Sequence, residues 1–313
     1  MASGRDMAMG INHDISSIAI SGDLGSGKST VARQLADLTA LAHFSGGDRH
    51  RSIADRHKLS TWELNKLAEL DPSLVDEEVD AELKSIATQK TPTIIDSRMG
   101  WWFVRDAMSV HLTVSPEHGA RRVYDRESQV VEKYQSEDDA RIKLRERAMS
   151  ERARFLQLYD VDPLRLKNYD LVIDTTFIAP ERVVELILIK VRDFQRKNSS
   201  EKRPEVYLSP KVLFPTQGIR ELTGDARSEE LVSTGYVYPY FFIIDGHNRV
   251  AEAMTGNVKD FEVKLRAESD DDVLAGISAR TYFRDSVQKS RIHDWNEVFG
   301  TNLAADAVEC AAT

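Results

Sequence analysis

A glycine-rich stretch near the start of the chain combines the residue types that bind phosphate. Residues Gly22–Ser29 fit the pattern G-x-x-x-x-G-K-[ST]. Glycines let backbone N–H groups surround phosphate oxygens, Lys28 supplies a mobile charge, and Ser29 can hold Mg²⁺. We therefore predict that the stretch binds a nucleoside triphosphate, in preference to being an ordinary turn. The residues assigned to this binding are Gly22, Gly25, Ser26, Gly27, Lys28, Ser29 and Thr30.

The segments on either side supply the framework that such a loop requires. Ile15–Ile20 is an apolar run typical of a buried strand, and Val31–Ala36 begins a helical pattern that continues to about Leu41. A strand, a glycine loop and a helix in this order are the context that gives the motif its meaning.

Further strands and helices alternate along the first 195 residues. Apolar runs that read as buried strands are Thr91–Asp96, Val110–Val114 and Tyr169–Asp174. Two helical patterns lie within Ser60–Lys90, and Pro180 opens another that extends to about Phe194. This alternation predicts an α/β domain at residues 15–195, with the three-layer parallel sheet of a P-loop NTPase.

Asp96 ends the first of these later strands. A carboxylate at the carboxyl end of a strand, near a phosphate loop, can hold a Mg²⁺-bound water or act as a general base. The alternative is that Asp96 only caps the segment that follows. Ser29 and Asp96 are the predicted metal-binding residues.

A glycine pair and basic residues follow the first helix, at His43–Arg51. One helix after a phosphate loop, such a cluster could hold a second anionic substrate. It could equally be a turn followed by a solvated helix start, because charge clusters on surface helices are common. Spacing leaves both interpretations open.

Arginines are concentrated in the stretch 120–162, which has neither glycine nor proline. Arg147, Glu151 and Arg154 are spaced i, i+4 and i+7, so they share one helix face. An isolated pair of this kind is usually a surface salt bridge of little consequence. The excess of arginine instead favours phosphate recognition, because guanidinium groups bind phosphate oxygens in pairs.

The composition limits the class of protein. A length of 313 residues suggests about two domains, each large enough to bury its own core. The formal net charge of −9 argues against sequence-independent nucleic-acid binding. The single cysteine, Cys310, excludes a disulfide framework, and Met1–His13 lacks an apolar signal core. Because the apolar runs are too short for a bilayer, we expect a cytoplasmic protein without membrane partners.

The pattern changes after Lys197–Pro204, which is polar and ends in proline. We predict a linker at residues 196–204, a smaller α+β domain at 205–290 and a C-terminal tail at 291–313. The predicted strands of this domain are Glu205–Leu208, Tyr240–Asp245 and Asp260–Leu265. Asp270–Asp272 is interpreted as a helix start, because acids favour the first turn.

With these motifs assembled, the N-terminal half resembles the cytidylate kinase family, especially its archaeal-type branch, over about Ser17 to Phe194. The motifs that carry the resemblance are Ser21–Thr30, Gly47-Asp48-x-x-Arg51, Asp96-Ser97-Arg98, Arg147-x-x-x-Glu151-x-x-Arg154 and Ile173–Thr176. The phosphate loop alone fits many NTPases, whereas the ordered set is much more selective. The resemblance implies ATP and Mg²⁺ as cofactors.

The resemblance also implies which residues bind the acceptor. Arginines matching Arg51, Arg98 and Arg154 grip the acceptor monophosphate in such kinases, and Asp48 belongs to the same motif as Arg51. Glu151 matches the lid-side helix, where the family contacts substrate phosphate and ribose.

The same resemblance implies a catalytic set that surrounds the transferred phosphoryl group. Arg122 and Arg126 correspond best to the lid arginines that close over this group, and Arg147 lies on the lid-side helix. The implied catalytic residues are Lys28, Asp96, Arg122, Arg126 and Arg147.

The acceptor itself stays open. In the bacterial branch, an acid beside the equivalent of Arg98 helps to read the cytosine amino group, and this chain has Met99 there. The small-molecule acceptor is therefore CMP or dCMP, a modified nucleotide, or another phosphate-bearing or hydroxyl compound.

The C-terminal half resembles the ParB/sulfiredoxin-like superfamily, over about Val206 to Leu274. The segments that carry this resemblance are Leu208–Gln217 and Ile243–Ala253, in which Asp245-Gly246-His247-Asn248-Arg249 looks closest to free-serine kinases. The double arginine of DNA-partitioning CTPases is absent from this signature, which disfavours DNA partitioning.

The turn of this signature is a candidate second anion site. Gly246 would expose backbone N–H groups at a strand-to-helix turn, and Arg249 would add charge. On this interpretation Asp245 is a base for an incoming hydroxyl, and His247 contacts phosphate. The alternative is a helix cap with a buried histidine, because caps at such turns are ordinary.

The sequence is compatible with two classes of function. The first is an ATP-dependent kinase of a nucleoside monophosphate or of a related small molecule, including a free serine-like amino acid. The second is a nucleotide-switched regulatory or DNA-associated protein. The acidic net charge and the arginines on the acceptor side favour the first class. The oligomeric state is not indicated.

Overall fold

The computed structural model describes residues 15–71, 76–89, 91–125, 134–194, 204–222 and 230–311. The chain divides into two compact units. The first comprises Met1–Leu171 and Ala179–Lys202, and the second comprises Val172–Ile178 and Arg203–Thr313. Residues 196–203 of the predicted linker, like Arg126, lie outside the described residues, so the predicted domain boundaries stay predictions.

The first half of the chain alternates strands with helices, as its hydrophobic pattern predicts. The strands are β1 (Ile18–Gly22), β2 (Ala42–Ser45), β3 (Thr93–Asp96), β4 (Met108–Thr113) and β5 (Leu171–Asp174). The helices are α1 (Lys28–Thr39), α2 (Gly46–His57), α3 (Thr61–Leu70), α4 (Asp76–Gln89), α5 (Gly100–Phe103), α6 (Pro116–Tyr124), α7 (Glu137–Tyr159) and α8 (Pro180–Phe194).

A parallel sheet forms the centre of the first unit. β1 pairs in parallel with β3 on one side and with β4 on the other, and β2 pairs in parallel with β3. Every residue of β1, β3 and β4 is buried, which explains why their sequences are nearly continuous apolar runs. The predicted parallel α/β organisation is confirmed. It brings the carboxyl ends of β1 and β3 to one edge.

β2 is the strand of this sheet that the sequence did not predict. For His43–Arg51 the sequence leaves open a cluster that binds a second anionic substrate or a turn with a helix start, and a helix does begin there, at Gly46. The preceding Ala42–Ser45 is an edge strand with its first two residues exposed. An edge strand buries too little surface to require an apolar pattern, so hydrophobicity did not reveal it.

Several helices of the first unit end in an unusual backbone conformation. Ala40, Lys58 and Asp160 follow α1, α2 and α7 with left-handed φ angles of 55°, 55° and 54°. Glycine is the usual residue at such positions because it has no Cβ to clash with the backbone.

The second unit is built on a mixed sheet. The strands between Arg203 and Thr313 are β6 (Glu205–Leu208), β7 (Leu213–Phe214), β8 (Val232–Val237), β9 (Tyr240–Asp245), β10 (Phe261–Glu268), β11 (Asp272–Leu274) and β12 (Ile277–Ser278). Its helices are α9 (His247–Thr255), α10 (Ala279–Ser286), α11 (Lys289–Phe299) and α12 (Ala307–Ala311). β10 pairs antiparallel with β6 and in parallel with β8, while β8 pairs antiparallel with β9.

Aromatic side chains fill the core of the second unit. Phe242 and Phe283 are buried with ring centroids 5.3 Å apart. The Phe242 ring occupies the space that a Cβ at Gly235 would need, so β8 requires glycine there. Trp295 is fully buried, which shows that the predicted C-terminal tail contributes a packed helix, α11.

Asp270–Asp272 does not start a helix. Ser269 has a left-handed φ of 50°, and the chain turns before entering β11. The backbone N–H of Glu268 donates to Asp271 Oδ2 at 3.3 Å, so this acid stabilises a turn rather than a helix N-terminus. In the described part of the chain, no helix is both long and apolar enough to cross a membrane.

Candidate active site

The phosphate loop between β1 and α1 requires its glycines for different reasons. Gly25 has a φ of +83°, and a Cβ there would lie 2.5 Å from the carbonyl oxygen of Gly119 on α6. Gly27 has a φ of +87°, but a Cβ there would enter open space. Gly22 has a φ of +151° and packs against the Leu112 backbone of β4. The glycines thus permit both the turn and its close approach to neighbouring backbone.

Lys28 and Ser29 begin α1 beside the end of β3. Ser29 Oγ donates to Asp96 Oδ2 at 2.6 Å, and Asp96 is buried. Because β1 and β3 are parallel neighbours, both residues reach the same edge of the sheet. Burial lowers the pKa of Lys28, and nearby Asp96 opposes this effect.

This pair of oxygen donors fits Mg²⁺ bound together with nucleotide phosphates. Mg²⁺ usually takes one or two protein oxygens and completes its shell with phosphate and water. Among the residues that the structure describes, no group of three or more His, Cys, Asp or Glu side chains could hold a metal ion. Ser29 and Asp96 are thus two oxygen donors of the kind that Mg²⁺ takes from a protein.

A cleft of about 500 Å³ joins the phosphate loop to the predicted acceptor residues. The predicted site residues that line it are Gly25, Gly27, Lys28, Ser29, Arg51, Asp96, Arg98, Arg147, Glu151 and Arg154. Residues separated by more than a hundred positions in sequence therefore share one cavity in the first unit.

Glu151 is the centre of an ionic cluster in this cleft. Its Oε1 lies 2.5 Å from Arg98 Nη1 and accepts from Arg147 Nε at 3.0 Å. Burial by itself would raise the pKa of Glu151, but Arg98, Arg147 and Arg154 outweigh it and lower the pKa to about 2. Glu151 is therefore an anion at neutral pH and fixes two arginines in place.

Arg154 is held by two residues that the sequence analysis did not identify. Its Nη1 donates to Asn65 Oδ1 at 3.1 Å, and its Nε lies 3.1 Å from Asp76 Oδ2. Neither Asn65 on α3 nor Asp76 on α4 belongs to a recognised motif. Their role depends on contacts across the cleft, for which the sequence carried no signal.

Arg51 and Asp48 contact each other at the start of α2. Arg51 lines the cleft with its side chain 47% exposed, whereas Asp48 is 70% exposed and does not line it. Burial would raise the pKa of Asp48, but Arg51 lowers it on balance. Asp48 thus orients Arg51 in this conformation.

His50 also lies on α2, next to Arg51, but it was not among the predicted site residues. It lines the cleft, and burial together with the nearby Arg147 lowers its pKa to about 4. The imidazole is therefore neutral at physiological pH, and so can accept a hydrogen bond as well as donate one.

The remaining predicted residues of the first unit lie around the phosphate loop. Arg122 on α6 donates from Nη1 to the Gly25 carbonyl oxygen at 3.4 Å. Ser26 is buried, and Thr30 is exposed on the first turn of α1. The other predicted lid arginine, Arg126, is not among the described residues.

The predicted second site lies in the second unit, at the turn from β9 to α9. Gly246 has a φ of +98°, and the Arg249 guanidinium lies so close that a Cβ on Gly246 would be 2.7 Å from Nη2. Arg249 Nη2 is 3.8 Å from Asp245 Oδ2, and the Asp245 side chain is 73% exposed. The turn therefore brings an arginine over a helix N-terminus.

His247 points into the interior of the second unit. Its Nε2 accepts the backbone N–H of Thr216 at 3.1 Å, and only 3% of the residue is exposed. Burial lowers its pKa to about 4, so the ring is neutral. These contacts match the alternative of a buried histidine at a helix start better than a contact to phosphate.

Comparison with known proteins gives one family for the first half of the chain. The model of the cytidylate kinase-like family matches residues 17–177. A cytidylate kinase of Haloarcula marismortui is 34% identical over 189 residues, which are 60% of this chain and 95% of that protein. A cytidylate kinase of Sulfolobus acidocaldarius is 36% identical over 173 residues, or 55% and 91% of the two chains.

The solved structures that resemble the chain do so more distantly. A shikimate kinase from Acinetobacter baumannii, solved in complex with shikimate, is 18% identical and superimposes with a TM-score of 0.40. The match covers 61% of this chain and 99% of the other. A likeness at this level carries no argument about the acceptor.

Proposed function

This chain belongs to the cytidylate kinase-like family, and on that premise we propose that it transfers the γ-phosphoryl group of ATP to CMP or dCMP. It is an ATP-dependent kinase of the nucleoside monophosphate type. One observation carries the proposal: a cluster of arginines, held by the buried Glu151, shares a cleft with the phosphate loop. Such a cleft can hold two phosphate-bearing molecules side by side.

On the donor side, the loop amides and Lys28 would hold the β- and γ-phosphates of ATP. Ser29, and a water held by Asp96, would bind the Mg²⁺ that accompanies the nucleotide. When bound, Mg²⁺ neutralises charge on the β- and γ-phosphate oxygens. Arg122 lies beside Gly25, where its guanidinium can approach the transferred group.

On the acceptor side, Arg51, Arg98, Arg147 and Arg154 would bind the monophosphate and orient one of its oxygens for attack. That oxygen is already ionised at neutral pH, so no strong general base is required. Catalysis then consists mainly of alignment and electrostatic stabilisation. Glu151 contributes by fixing Arg98 and Arg147 before the substrates arrive.

The decisive experiment measures ADP formation from Mg²⁺-ATP with a panel of acceptors. We expect strong turnover with CMP or dCMP and little with ATP alone. Lys28→Ala should lower turnover by about a hundredfold or more, because it removes the positive charge that stabilises the phosphate oxygens in the transition state. Lys84→Ala, which changes an exposed lysine of α4, is the matched control and should retain activity.

The proposal fails if none of the acceptors stimulates ADP release. The panel therefore includes other nucleoside monophosphates, free serine and related hydroxy-amino acids. Stimulation of ADP release by serine but not by nucleotides would indicate that this chain phosphorylates an amino acid and that its second unit takes part in the reaction.

For the second unit, we propose a ParB/sulfiredoxin-like fold with an anion site at the turn from Asp245 to Arg249. The support is local: Gly246 adopts a left-handed φ at the start of α9, and Arg249 lies over it. Kinase activity on a serine-like amino acid, or a nucleotide-switched regulatory role, are the alternatives for this unit. The proposed setting is the cytoplasm, where ATP is available.

A further inference from the structure

Two carboxylates on one face of α4 line the acceptor side of the cleft. Asp76 and Asp80 are spaced i, i+4, so their side chains project from the same face of the helix. Both line the same cavity as Arg154 and Tyr159 of α7. They are thus next to the arginines assigned to the acceptor phosphate, on a helix that no family motif includes.

Each carboxylate is positioned through one of its oxygens. Arg154 Nε lies 3.1 Å from Asp76 Oδ2, and the Tyr159 hydroxyl donates to Asp80 Oδ2 at 2.8 Å. These contacts set the direction of both groups. Among the described residues, the hydrogen bonds and ion pairs of both groups engage Oδ2, so Oδ1 of each can accept from a bound molecule.

Acids at this position disfavour the binding of a phosphate group in the cleft. A substrate phosphate is an anion, so additional negative charges nearby weaken its binding. Burial raises the pKa of Asp76 to about 6 and also raises that of Asp80, so keeping their negative charge in the cleft has a free-energy cost. The ion pair with Arg154 explains why an acid is present at Asp76. It does not explain the acid at Asp80, which accepts a hydrogen bond from the Tyr159 hydroxyl and, within the described part of the chain, forms no ion pair with an arginine.

The surroundings of the two acids suit a flat base. The rings of Phe155 and Tyr159 line the cleft with centroids 5.9 Å apart, and Val79 lies between the two acids in sequence. Met99 also lines this cavity but has no strong hydrogen-bonding group. Polar recognition of a base on this side therefore depends on the carboxylates and their neighbours.

Carboxylate oxygens distinguish the two common pyrimidines. Cytosine carries an exocyclic amino group that donates hydrogen bonds, whereas uracil has a carbonyl oxygen at the same position. An acid accepts from the amino group but repels the carbonyl oxygen, and a site built this way rejects the wrong base through its unpaired polar groups.

Given the proposed function, on which this inference rests, we propose that Asp76 and Asp80 read the base of the acceptor nucleotide and select cytosine over uracil. They would accept hydrogen bonds from the exocyclic amino group while the arginines hold the phosphate. This assigns a specificity-determining role to residues of α4.

The test compares CMP with UMP as acceptors for the full chain and its variants. In the wild type, kcat/KM for CMP should exceed that for UMP. Asp80→Asn should reduce the CMP-to-UMP ratio of kcat/KM by about tenfold or more, since the amide offers a donor to the uracil carbonyl and weakens recognition of cytosine. Asp76→Asn should lower the ratio in the same direction.

Glu77→Gln is the matched control, because it removes one negative charge from an exposed position of the same helix. It should leave the ratio unchanged. The ratio is measured within each preparation, so a loss of folded protein does not alter it.

An equal fall of kcat/KM for both nucleotides in Asp76→Asn and Asp80→Asn would overturn the proposal, because it would make the acids supports for Arg154 and Tyr159 only. A wild type that uses UMP as well as CMP would also overturn it. If the wild type uses neither nucleotide, the proposed function itself is wrong, and the assignment of Asp76 and Asp80 falls with it.

Discussion

Glu151 shows how a single anion can prepare a site for other anions. Arg98, Arg147 and Arg154 repel one another, and each would be costly to bury alone. Glu151 compensates part of this charge and leaves the cluster net positive, which suits a phosphate. Its helical spacing from Arg147 and Arg154 was visible in the sequence, but its pairing with Arg98 depends on the fold.

Glu151→Gln should destabilise the protein in a pH-dependent way. The folded pKa of about 2 lies below the ordinary value of 4.5, so ionised Glu151 stabilises the fold above about pH 4.5. The loss should be on the order of 3 kcal/mol at pH 7, and it should shrink as the pH falls towards 2. Denaturant unfolding of both proteins across this pH range checks the prediction.

Glu146→Gln, at an exposed position of the same helix, provides the comparison for Glu151→Gln. It should change the free energy of unfolding little at any of these pH values. A Glu151→Gln loss that is the same at pH 3 and pH 7 would mean that the carboxylate is not held as an ion.

At the scale of elements, the phosphate loop contains two glycines that are required for different physical reasons. Gly27→Ala introduces only the conformational penalty of a left-handed φ, about 1–2 kcal/mol. Gly25→Ala adds a collision with the Gly119 backbone of α6, so we expect a larger loss of stability. Thermal unfolding of both variants without nucleotide would measure this, and equal losses would contradict the geometry.

The start of α9 gives a second prediction at this scale. The folded pKa of His247, about 4, lies below the ordinary value of 6.5, so the unfolded chain takes up the proton first. Stability from His247 is therefore complete above about pH 6.5 and is lost as the pH falls towards 4. NMR should show a neutral His247 ring at pH 5.5, and a titration midpoint near 6.5 would contradict its burial.

Elements with a complete hydrophobic pattern were predictable, and those without one were not. β3 and α8 were identified from their apolar residues and from Pro180. β8 was missed because Ser233 and Gly235 interrupt its pattern, and that glycine exists to admit the Phe242 ring. Within the site, motif residues such as Ser29 and Asp96 were identified, whereas Asn65 and Asp76 act through the fold alone.

At the scale of the whole molecule, the family match ends at residue 177, while the second unit has its own aromatic core. We therefore expect Arg249→Ala to leave turnover with CMP near that of the wild type, in contrast to Lys28→Ala. Steady-state kinetics of the two variants would show this. Loss of turnover in Arg249→Ala would mean that phosphoryl transfer depends on both units.

The helix ends at Ala40 and Lys58 leave room for engineering. Glycine fits a left-handed φ better than either residue does, by about 1 kcal/mol per site. Neither position lines the cleft, so the double replacement Ala40→Gly and Lys58→Gly should raise Tm by several degrees, about 2–4 °C per site, without changing kinetics. Two substitutions outside the cleft should therefore give an enzyme that withstands higher temperatures than the natural one.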